Sequence, residues 1–328
     1  MKDLKPFQLG STQLDNPFFL APMDGFTDYP FRTICKRLGA GVLVSEFING
    51  LDIENQHPFL QQKIYFSEDE HPFGYQIFDD SPERLLLAAQ YLREFNPDFI
   101  DINFGCSARN VTNRGAGAGL LRNPSKIAAI ISTLVKNVDL PITAKIRLGW
   151  DNHNLNYLEV SHIIESEGAQ MIAVHARTKV QGYSGKADWD AIARIQEAIS
   201  IPVIANGDIR TPDDIDKVLQ ETGSSGIMVG RGALSNPWIF QRKYLEDIQP
   251  IERYKVFQLH FEKMLSFYGK RIGLILFRKH LHSYINSEIL TRPQRIELFT
   301  QTESSGLENL VKQYIYQNHF SPGLNSPF

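Results

Sequence analysis

The sequence predicts a (β/α)8 TIM barrel, of class α/β, followed by a small C-terminal helical domain. Short apolar segments alternate with amphipathic helical stretches from residue 18 to about residue 240. Eight such units in about 220 residues match the length and rhythm of a barrel, and their near-continuous apolar character suits parallel strands covered on both faces. A doubly wound sheet is the alternative, but it usually has fewer strands before its switch point.

Capping residues mark where the barrel helices begin and end. Helices are expected after Ser81, Asn123 and Thr211, because each precedes a proline that suits a first helical position. Gly168 and Gly223 stand where two helices should stop. In chain order, the eight predicted strands are Phe18–Met23, Val42–Ile48, Phe73–Phe78, Phe99–Phe104, Ile142–Leu148, Met171–Arg177, Val203–Asp208 and Gly226–Gly230.

The pattern changes after residue 240, where no further strand is predicted. Helices are expected at Tyr254–Tyr268, Gly273–Ile285 and Leu307–Tyr316, with a break across residues 291–305. The last segment, Phe320–Phe328, contains two prolines and a glycine and is expected to be loose.

We therefore divide the chain into a barrel, residues 1–244, and a helical domain, residues 245–328. The net charge of the whole chain is −3, which excludes a polycation. The helical domain has 10 Lys and Arg against 8 Asp and Glu, whereas the barrel has 24 against 29. A mildly basic domain is compatible with a polyanionic partner, although a solvated helical surface gives the same balance.

Composition is typical of a globular protein, with 42% hydrophobic and 22% charged residues. No apolar run approaches the roughly 20 residues that span a bilayer, and the first residues lack a signal-peptide layout. Cys35 and Cys106 give no disulfide framework, so we expect a cytoplasmic protein without membrane contact. Cys35 lies in a predicted amphipathic helix, where it is expected to pack as a small apolar residue.

Polar side chains are concentrated where the predicted strands end. The active site of a barrel is built at the carboxyl ends of its strands, and seven of the eight ends are polar or charged. Packing alone gives no reason for this arrangement, so a ligand site is expected. The residues at these ends are Pro22, Met23, Asp24, Glu46, Gln76, Asn103, Cys106, Lys145, Arg147, His175, Arg177, Asn206, Gly207, Asp208, Gly230 and Arg231.

The last two strand ends, Asn206-Gly207-Asp208 and Gly230-Arg231, suggest a phosphate site. Many barrels hold phosphate after strands seven and eight, where glycine lets backbone N–H groups approach the oxygens. Two ordinary tight turns are the alternative. Lys145 is expected to face inward beside an anionic flavin ring or a phosphate; an outward lysine between helices is the alternative. His175 and Gln76 are either ligand contacts or satisfied core residues.

Cys106 is a lone thiol at a strand end, in Asn103-Phe104-Gly105-Cys106. The glycine-rich stretch Gly115–Gly119 follows, and there we expect the backbone to approach a ligand closely. This placement indicates chemistry, and from the residues alone a nucleophile is as plausible as a proton donor. No Cys and His spacing resembles a zinc site, and neither a P-loop nor a serine nucleophile motif is present.

Together these residues resemble the flavin-dependent tRNA-dihydrouridine synthases. The resemblance runs in order from about residue 14 to residue 300, and it extends to Phe277-Arg278-Lys279-His280 in the helical domain. Single motifs occur in other flavin barrels, but the set is specific. The matching segments are Ala21–Asp28, Val44–Glu46, Gln76-Ile77, Asp101–Cys106, Lys145–Arg147, His175–Thr178, Ile204–Asp208 and Met228–Arg231.

The resemblance implies an FMN-bound barrel that reduces the C5–C6 double bond of a uridine in tRNA, with NADPH as reductant. Reduced FMN would give hydride to C6, and Cys106 would protonate C5. The implied cofactor contacts are Pro22, Met23, Asp24, Gln76, Lys145, His175, Asn206, Gly207, Asp208, Gly230 and Arg231. The implied substrate contacts are Asn103, Arg177, Arg278 and Lys279.

One position departs from the family pattern: Ser107 stands where the family usually has proline after the catalytic cysteine. Serine leaves the loop freer than proline would. Other contacts must therefore hold the loop in the position that places the thiol. Three alternatives stay open, namely action on ribosomal RNA, reduction of a free pyrimidine in the manner of a dihydroorotate dehydrogenase, and a silent RNA-binding barrel. We expect a monomer without bound metal.

Overall fold

The computed structural model describes residues 5–285 and 290–317, and it confirms the predicted barrel. Eight parallel strands follow one another around the sheet, and the first and second are joined by hydrogen bonds from Leu20 N to Val42 O at 3.0 Å and from Val42 N to Phe18 O at 3.1 Å. These strands are β3 (Phe18–Leu20), β4 (Leu43–Val44), β6 (Phe73–Phe78), β7 (Phe99–Phe104), β8 (Ile142–Arg147), β9 (Met171–His175), β10 (Val203–Asn206) and β11 (Gly226–Val229).

All eight predicted strands are present, but several end earlier than predicted. The residues predicted at their carboxyl ends therefore lie in the loops that follow the strands. The predicted strand Val42–Ile48 is divided into β4 and the short β5 (Ile48–Asn49), which also pairs with β6. Between β4 and β5, the backbone N–H of Gln76 donates to the side-chain hydroxyl of Ser45 at 3.0 Å. In a continuous strand, it would donate to a backbone carbonyl oxygen.

A short antiparallel hairpin of β1 (Phe7–Leu9) and β2 (Thr12–Leu14), not predicted from the sequence, precedes the barrel strands. Each strand has three residues, which is too short for an alternating pattern to be recognised. Leu9 and Leu14 are fully buried in a cluster with barrel residues, so the hairpin packs against the core.

The helices of the barrel begin where the capping residues predict. The side chains of Ser81, Asn123 and Thr211 accept N-terminal backbone N–H groups, and Gly223 ends its helix with φ 65°. The helices are α1 (Tyr29–Arg37), α2 (Gly50–Glu54), α3 (Leu60–Ile64), α4 (Pro82–Arg93), α5 (Arg109–Thr112), α6 (Pro124–Asn137), α7 (Tyr157–Ser166), α8 (Trp189–Ala198) and α9 (Pro212–Thr222).

The chain forms two compact units, Met1–Gly230 and Arg231–Phe328. Residues 231–244, which the sequence analysis puts with the barrel, therefore belong to the second unit. The indole of Trp238 explains this, because its Nε1 donates to Glu252 at 3.0 Å and its ring packs against Tyr284.

The second unit is helical throughout its described residues, as predicted. The predicted helix Gly273–Ile285 is a helix followed by a 3-10 turn, Arg278–Ser283, and a further helix lies in the region predicted as a break. Its helices are α10 (Arg231–Ser235), α11 (Pro250–Tyr268), α12 (Lys270–Phe277), α13 (Arg292–Thr300) and α14 (Ser304–Gln317). The tail Phe320–Phe328 lies outside the described residues. No helix in residues 5–285 and 290–317 is long and apolar enough to cross a membrane.

Candidate active site

Cys106 lies just beyond the end of β7, half-buried against a small apolar cluster of Phe78, Val111 and Ala116. Burial raises the pKa of its thiol above the ordinary value, against the opposing effects of the Ala108 N–H and the charge of Arg147. The side chain is therefore a neutral thiol near pH 7, which suits proton donation better than nucleophilic attack.

The backbone around Cys106 is held by Asn103. The side-chain oxygen of Asn103 accepts the N–H of Cys106 at 2.7 Å and that of Gly105 at 3.0 Å. The Cys106 carbonyl in turn accepts the N–H of Ala118 at 3.0 Å. These contacts position the loop even though Ser107 replaces the family's proline.

Gly117, in the stretch 115–119, packs against the Cys106 loop, and the expected approach of this stretch to a ligand stays a prediction. Gly117 has φ 54°, and a Cβ there would lie 3.0 Å from the carbonyl oxygen of Cys106 and 3.1 Å from its Cβ. Its missing side chain therefore makes room for the Cys106 loop itself. Gly119 is packed in the same way against Thr112.

Arg147 is a second support of the same loop. Its Nε donates to Gly105 O at 2.8 Å, and its Nη1 donates to Thr178 O and Gly182 O at 3.0 and 2.9 Å. It thus joins the Cys106 loop to the loop that follows β9. Arg147 was predicted at a strand end but without a role, and its spacing of two residues from Lys145 was the available signal.

Gln76, Asn103, Lys145 and Asn206 form one continuous polar layer at the barrel mouth. Asn103 Nδ2 donates to Gln76 Oε1 at 2.7 Å, Asn103 and Lys145 are register partners on neighbouring strands, and Lys145 Nζ donates to Asn206 Oδ1 at 3.1 Å. Asn206 Nδ2 is bound to Met228 O at 2.7 Å. Four residues predicted at separate strand ends are thus brought together.

Burial lowers the pKa of Lys145 to about 8, and Arg147 adds to this effect while Asp101 and Cys106 oppose it. Among the described residues, the ammonium group forms no ion pair, and its hydrogen-bond partner is a neutral amide. A buried cation in this setting fits an anionic ligand. This chemistry agrees with a flavin or a phosphate beside Lys145, and it excludes the alternative of a lysine directed between the outer helices.

Arg177 and Asp208 form an ion pair beside this layer, in which the arginine is buried and the carboxylate is partly exposed. Arg177 is fully buried, and its Nη2 donates to both carboxylate oxygens of Asp208, at 2.8 and 2.7 Å, and to Gly185 O at 2.6 Å. Burial favours the neutral acid, but the Arg177 hydrogen bond and the Ala187 N–H lower the pKa of Asp208 overall. The pair holds the loop after β9 against the end of β10.

His175 and Gly207 lie next to this pair. Gly207 has φ 121°, and a Cβ there would lie 3.2 Å from the His175 ring and 3.1 Å from Ala187 Cβ. The ring of Tyr183, 61% exposed, lies 6.2 Å from the His175 ring. His175 is therefore close to the mouth of the barrel and close to the turn predicted to bind phosphate.

The first strand end provides Pro22 and Met23, both partly buried, and Asp24, which is exposed and paired with Lys63 at 3.0 Å. A Cβ at Gly230 would lie 3.3 Å from Met23 Sδ, so the ends of β3 and β11 approach closely. Arg231 is exposed at the start of the second unit.

Two acidic residues of the barrel were given no role by the sequence analysis. Asp101, on β7, is 2% exposed and accepts hydrogen bonds from Gln76 and Thr143, both at 2.6 Å. Glu46 accepts the N–H of Gly25, and burial with the nearby carboxylates of Asp28 and Asp24 raises its pKa. The signal for Asp101 was an acidic residue inside a strand whose other residues are apolar or amide.

In the second unit, Arg278 and Lys279 begin the 3-10 turn and are partly buried. Arg278 Nη2 donates to Gln301 O at 2.6 Å, which fixes one end of its guanidinium. The predicted substrate role of these two residues stays a prediction.

Comparison with known proteins identifies the family to which this chain belongs. The dihydrouridine synthase model matches residues 19–319, nearly the whole described chain. The chain belongs to the dihydrouridine synthase family. Members of this family are flavin-dependent oxidoreductases, so the chain is an enzyme of that class.

Curated relatives match over most of their length. A protein of Pseudomonas aeruginosa named tRNA-dihydrouridine synthase B is 40% identical over 287 residues, which are 85% of this chain and 86% of that protein. A probable tRNA-dihydrouridine synthase of Rhodobacter capsulatus is 37% identical over 313 residues, 93% of this chain and 96% of that protein.

Solved structures support the barrel fold. A 2-naphthoyl-CoA reductase complex superposes with TM-score 0.60 at 12% identity, over 73% of this chain and 51% of that one. Morphinone reductase in complex with tetrahydroNAD superposes with TM-score 0.51 at 12% identity, over 73% of this chain and 89% of that one. At this identity the likeness concerns the fold alone.

Proposed function

We propose that this chain is a tRNA-dihydrouridine synthase that reduces the C5–C6 double bond of uridine in tRNA, using FMN and NADPH. The observation that carries the proposal is Cys106, a neutral, half-buried thiol fixed at a strand end of a flavin-family barrel. The names of the curated relatives support tRNA as the substrate. Cytoplasmic location, a monomeric state and the absence of metal stay predictions.

The residues at the mouth fit a flavin. When bound, reduced FMN supplies the hydride for C6 of the uracil, and NADPH restores the reduced form. Lys145, with its buried ammonium, would hold the anionic side of the ring, and Gln76 and Asn206 would offer amide contacts. Pro22, Met23, Asp24 and His175 would line the cofactor. Gly207, Asp208, Gly230 and Arg231 are proposed for its phosphate end, where Asp208 acts by ordering the turn through Arg177 rather than by touching an anion.

Cys106 would complete the reduction. Its Sγ–H bond breaks as a new C–H bond forms at C5, so the uracil gains one hydride and one proton, and solvent later returns a proton to the thiolate. A raised thiol pKa keeps the proton available through neutral pH. Asn103 and Arg147 hold the loop that carries the thiol. Asn103 and Arg177 are also proposed near the uracil, with Arg177 acting through the loop it fixes.

A cationic cluster on the barrel is suited to RNA. The Arg122 guanidinium lies 3.9 Å from the centre of the Trp150 ring, and the Lys179 ammonium lies 4.3 Å from it. Among the described residues, neither cation pairs with a carboxylate. Lys179 follows Thr178, which Arg147 joins to the Cys106 loop. Two positive charges beside the catalytic loop favour a phosphate backbone. Arg278 and Lys279 are proposed as further backbone contacts in the second unit.

The test is to reduce the purified flavoprotein with NADPH without oxygen and then to add possible oxidants separately. Reoxidation by unmodified tRNA, with dihydrouridine found by mass spectrometry, is expected. Reoxidation by ribosomal RNA alone, or by a free pyrimidine alone, would replace the proposed substrate. A colourless protein that binds RNA without reacting would contradict the enzymatic proposal.

A further inference from the structure

We propose that Asp101 is a positioning residue that stabilises, from its buried end, the direction of a hydrogen-bond relay ending at the backbone of Cys106. The relay runs from Asp101 through the side-chain amides of Gln76 and Asn103 to the loop that carries the thiol. This inference rests on the proposed function, because it assigns the relay to the placement of the proton donor.

The first step is the contact between Asp101 and Gln76. These residues are register partners on β7 and β6, and Gln76 Nε2 lies 2.6 Å from Asp101 Oδ2. An ionised carboxylate can only accept hydrogen bonds. Gln76 must therefore turn its NH2 group toward Asp101, and its carbonyl oxygen is left facing Asn103.

The second step carries this direction to the catalytic loop. Gln76 Oε1 accepts from Asn103 Nδ2 at 2.7 Å, which leaves Asn103 Oδ1 facing the loop. There it accepts the N–H groups of Gly105 and Cys106. The relay has acceptors alone at the Asp101 end and donors alone at the loop end, so a single orientation of both amides satisfies every contact.

The opposite orientation is unfavourable at the Cys106 end. If Gln76 and Asn103 were both reversed, the Asn103 NH2 group would face two backbone N–H groups, and donors would oppose donors. An amide alone does not choose between its two orientations, since its oxygen and nitrogen are nearly equal in size. The carboxylate of Asp101 and the two backbone N–H groups favour the same orientation of both amides, so Asp101 stabilises that orientation from the buried end of the relay.

Neighbouring groups favour the ionised form of Asp101 but do not fully offset the effect of burial on its pKa. Thr143, its register partner on β8, donates its hydroxyl to Oδ1 at 2.6 Å. Burial raises the pKa of Asp101, while the donors Gln76 and Thr143 and the charge of Lys145 oppose that effect. Asp101 lies two residues before Asn103 on the same strand, one layer deeper in the barrel, so it acts on the loop without touching the substrate.

The central test replaces Asp101 by asparagine. Asp101→Asn keeps the shape but offers both a donor and an acceptor, so the buried end of the relay no longer enforces its direction and only the backbone N–H groups at the loop end favour it. We expect reoxidation of the reduced flavin by tRNA to slow about tenfold or more, while reduction by NADPH and flavin content stay within about twofold of wild type. Alkylation of Cys106 in the flavin-free protein, followed by peptide mass spectrometry, should become several-fold faster because the loop is released.

Thr143→Val is the matched control. It removes the other hydrogen bond to Asp101 and has nearly the same volume, but it leaves the Gln76 contact in place. In this variant, Cys106 should be alkylated at the wild-type rate. If Thr143→Val accelerates alkylation as much as Asp101→Asn does, the role of Asp101 is general packing and the proposal is overturned.

A double variant tests the direction itself. In Asp101→Asn with Gln76→Glu, the carboxylate moves one step along the relay and accepts from both Asn103 and the new asparagine. Asn103 is then oriented as before, so Cys106 alkylation should return to the wild-type rate. No recovery would overturn the proposal. Should Asp101→Asn not fold, folding of the double variant with slow alkylation would support the relay, and its failure to fold would refute it.

The alkylation series does not depend on RNA. If wild-type reduced protein is not reoxidised by tRNA, the proposed function fails, while the alkylation rates still decide whether Asp101 orders the Cys106 loop. If tRNA reoxidises every variant at the wild-type rate and alkylation is unchanged, the function stands and the relay does not.

Discussion

The side-chain oxygen of Asn103 lies 2.7 Å from the backbone nitrogen of Cys106, so the last polar residue of β7 directly fixes the residue that carries the thiol. This hydrogen bond attaches the loop to the end of the strand, so the barrel sheet sets the position of the sulfur. The same logic applies to Arg147, which ties Gly105 to the loop beyond β9.

The pKa of Cys106 gives a first prediction. Because burial raises it, the neutral thiol should persist above the pH at which an ordinary cysteine ionises. Alkylation of Cys106 should be slow at pH 7 and should reach half its maximal rate at a higher pH than a free cysteine measured under the same conditions. An alkylation midpoint below that of the free cysteine would contradict the proton-donor role and would favour a nucleophile.

Lys145 gives a second prediction, because its pKa is lowered to about 8 by burial and Arg147. Its charged form exists below that pH, so FMN binding to flavin-free protein should weaken as pH rises through about 8. Lys145→Met should bind FMN at least tenfold more weakly at pH 7 and should lose this pH dependence, as measured by fluorescence titration. Unchanged flavin affinity in the variant would refute its assignment to the cofactor.

The cluster of Arg122, Trp150 and Lys179 gives a third prediction. Lys179→Ala and Arg122→Ala should each raise KM for tRNA and reduce the slope of log affinity against log salt by about 1. NADPH oxidation should be unaffected. Lys136→Ala is the control, since Lys136 is exposed in the last turn of α6, at the far end of its βα unit. Equal effects of the Lys136 and Lys179 substitutions would mean that tRNA responds to the total positive charge of the protein and not to this cluster, which would contradict the prediction.

The buried ion pair of Arg32 and Glu70 gives a prediction about stability. Their side chains are 1% and 0% exposed, with Nε and Oε1 2.7 Å apart. Arg32→Met leaves the carboxylate buried and unpaired, which should lower the free energy of unfolding by about 3–5 kcal/mol. Lys63→Met breaks the exposed pair with Asp24 and should cost less than about 1 kcal/mol. Urea denaturation measures both, and similar losses would contradict the assignment.

The sequence predicted the architecture well because periodicity and caps are local signals. The eight strands and the helices that begin after Ser81, Asn123 and Thr211 were predictable in this way. The C-terminal unit was harder, because its boundary depends on where Trp238 packs. The break predicted across residues 291–305 contains α13, whose polar composition hides its periodicity.

The sequence predicted which residues form the site, but it did not predict the hydrogen bonds that join them. Strand-end positions indicated Gln76, Asn103, Lys145 and Asn206, yet no sequence spacing shows that these side chains bond to one another across four strands. The support of Cys106 by Asn103, and the close approach of Gly117, likewise depend on loop conformation. Only the folded backbone brings those groups together.

The most direct test of the central claim compares wild-type protein with Cys106→Ala. Both are reduced by NADPH without oxygen and mixed with unmodified tRNA, and dihydrouridine is measured by mass spectrometry over one turnover. The variant should keep its flavin and its NADPH oxidation and should lose dihydrouridine formation. Full formation of dihydrouridine by Cys106→Ala at the wild-type rate would contradict the account.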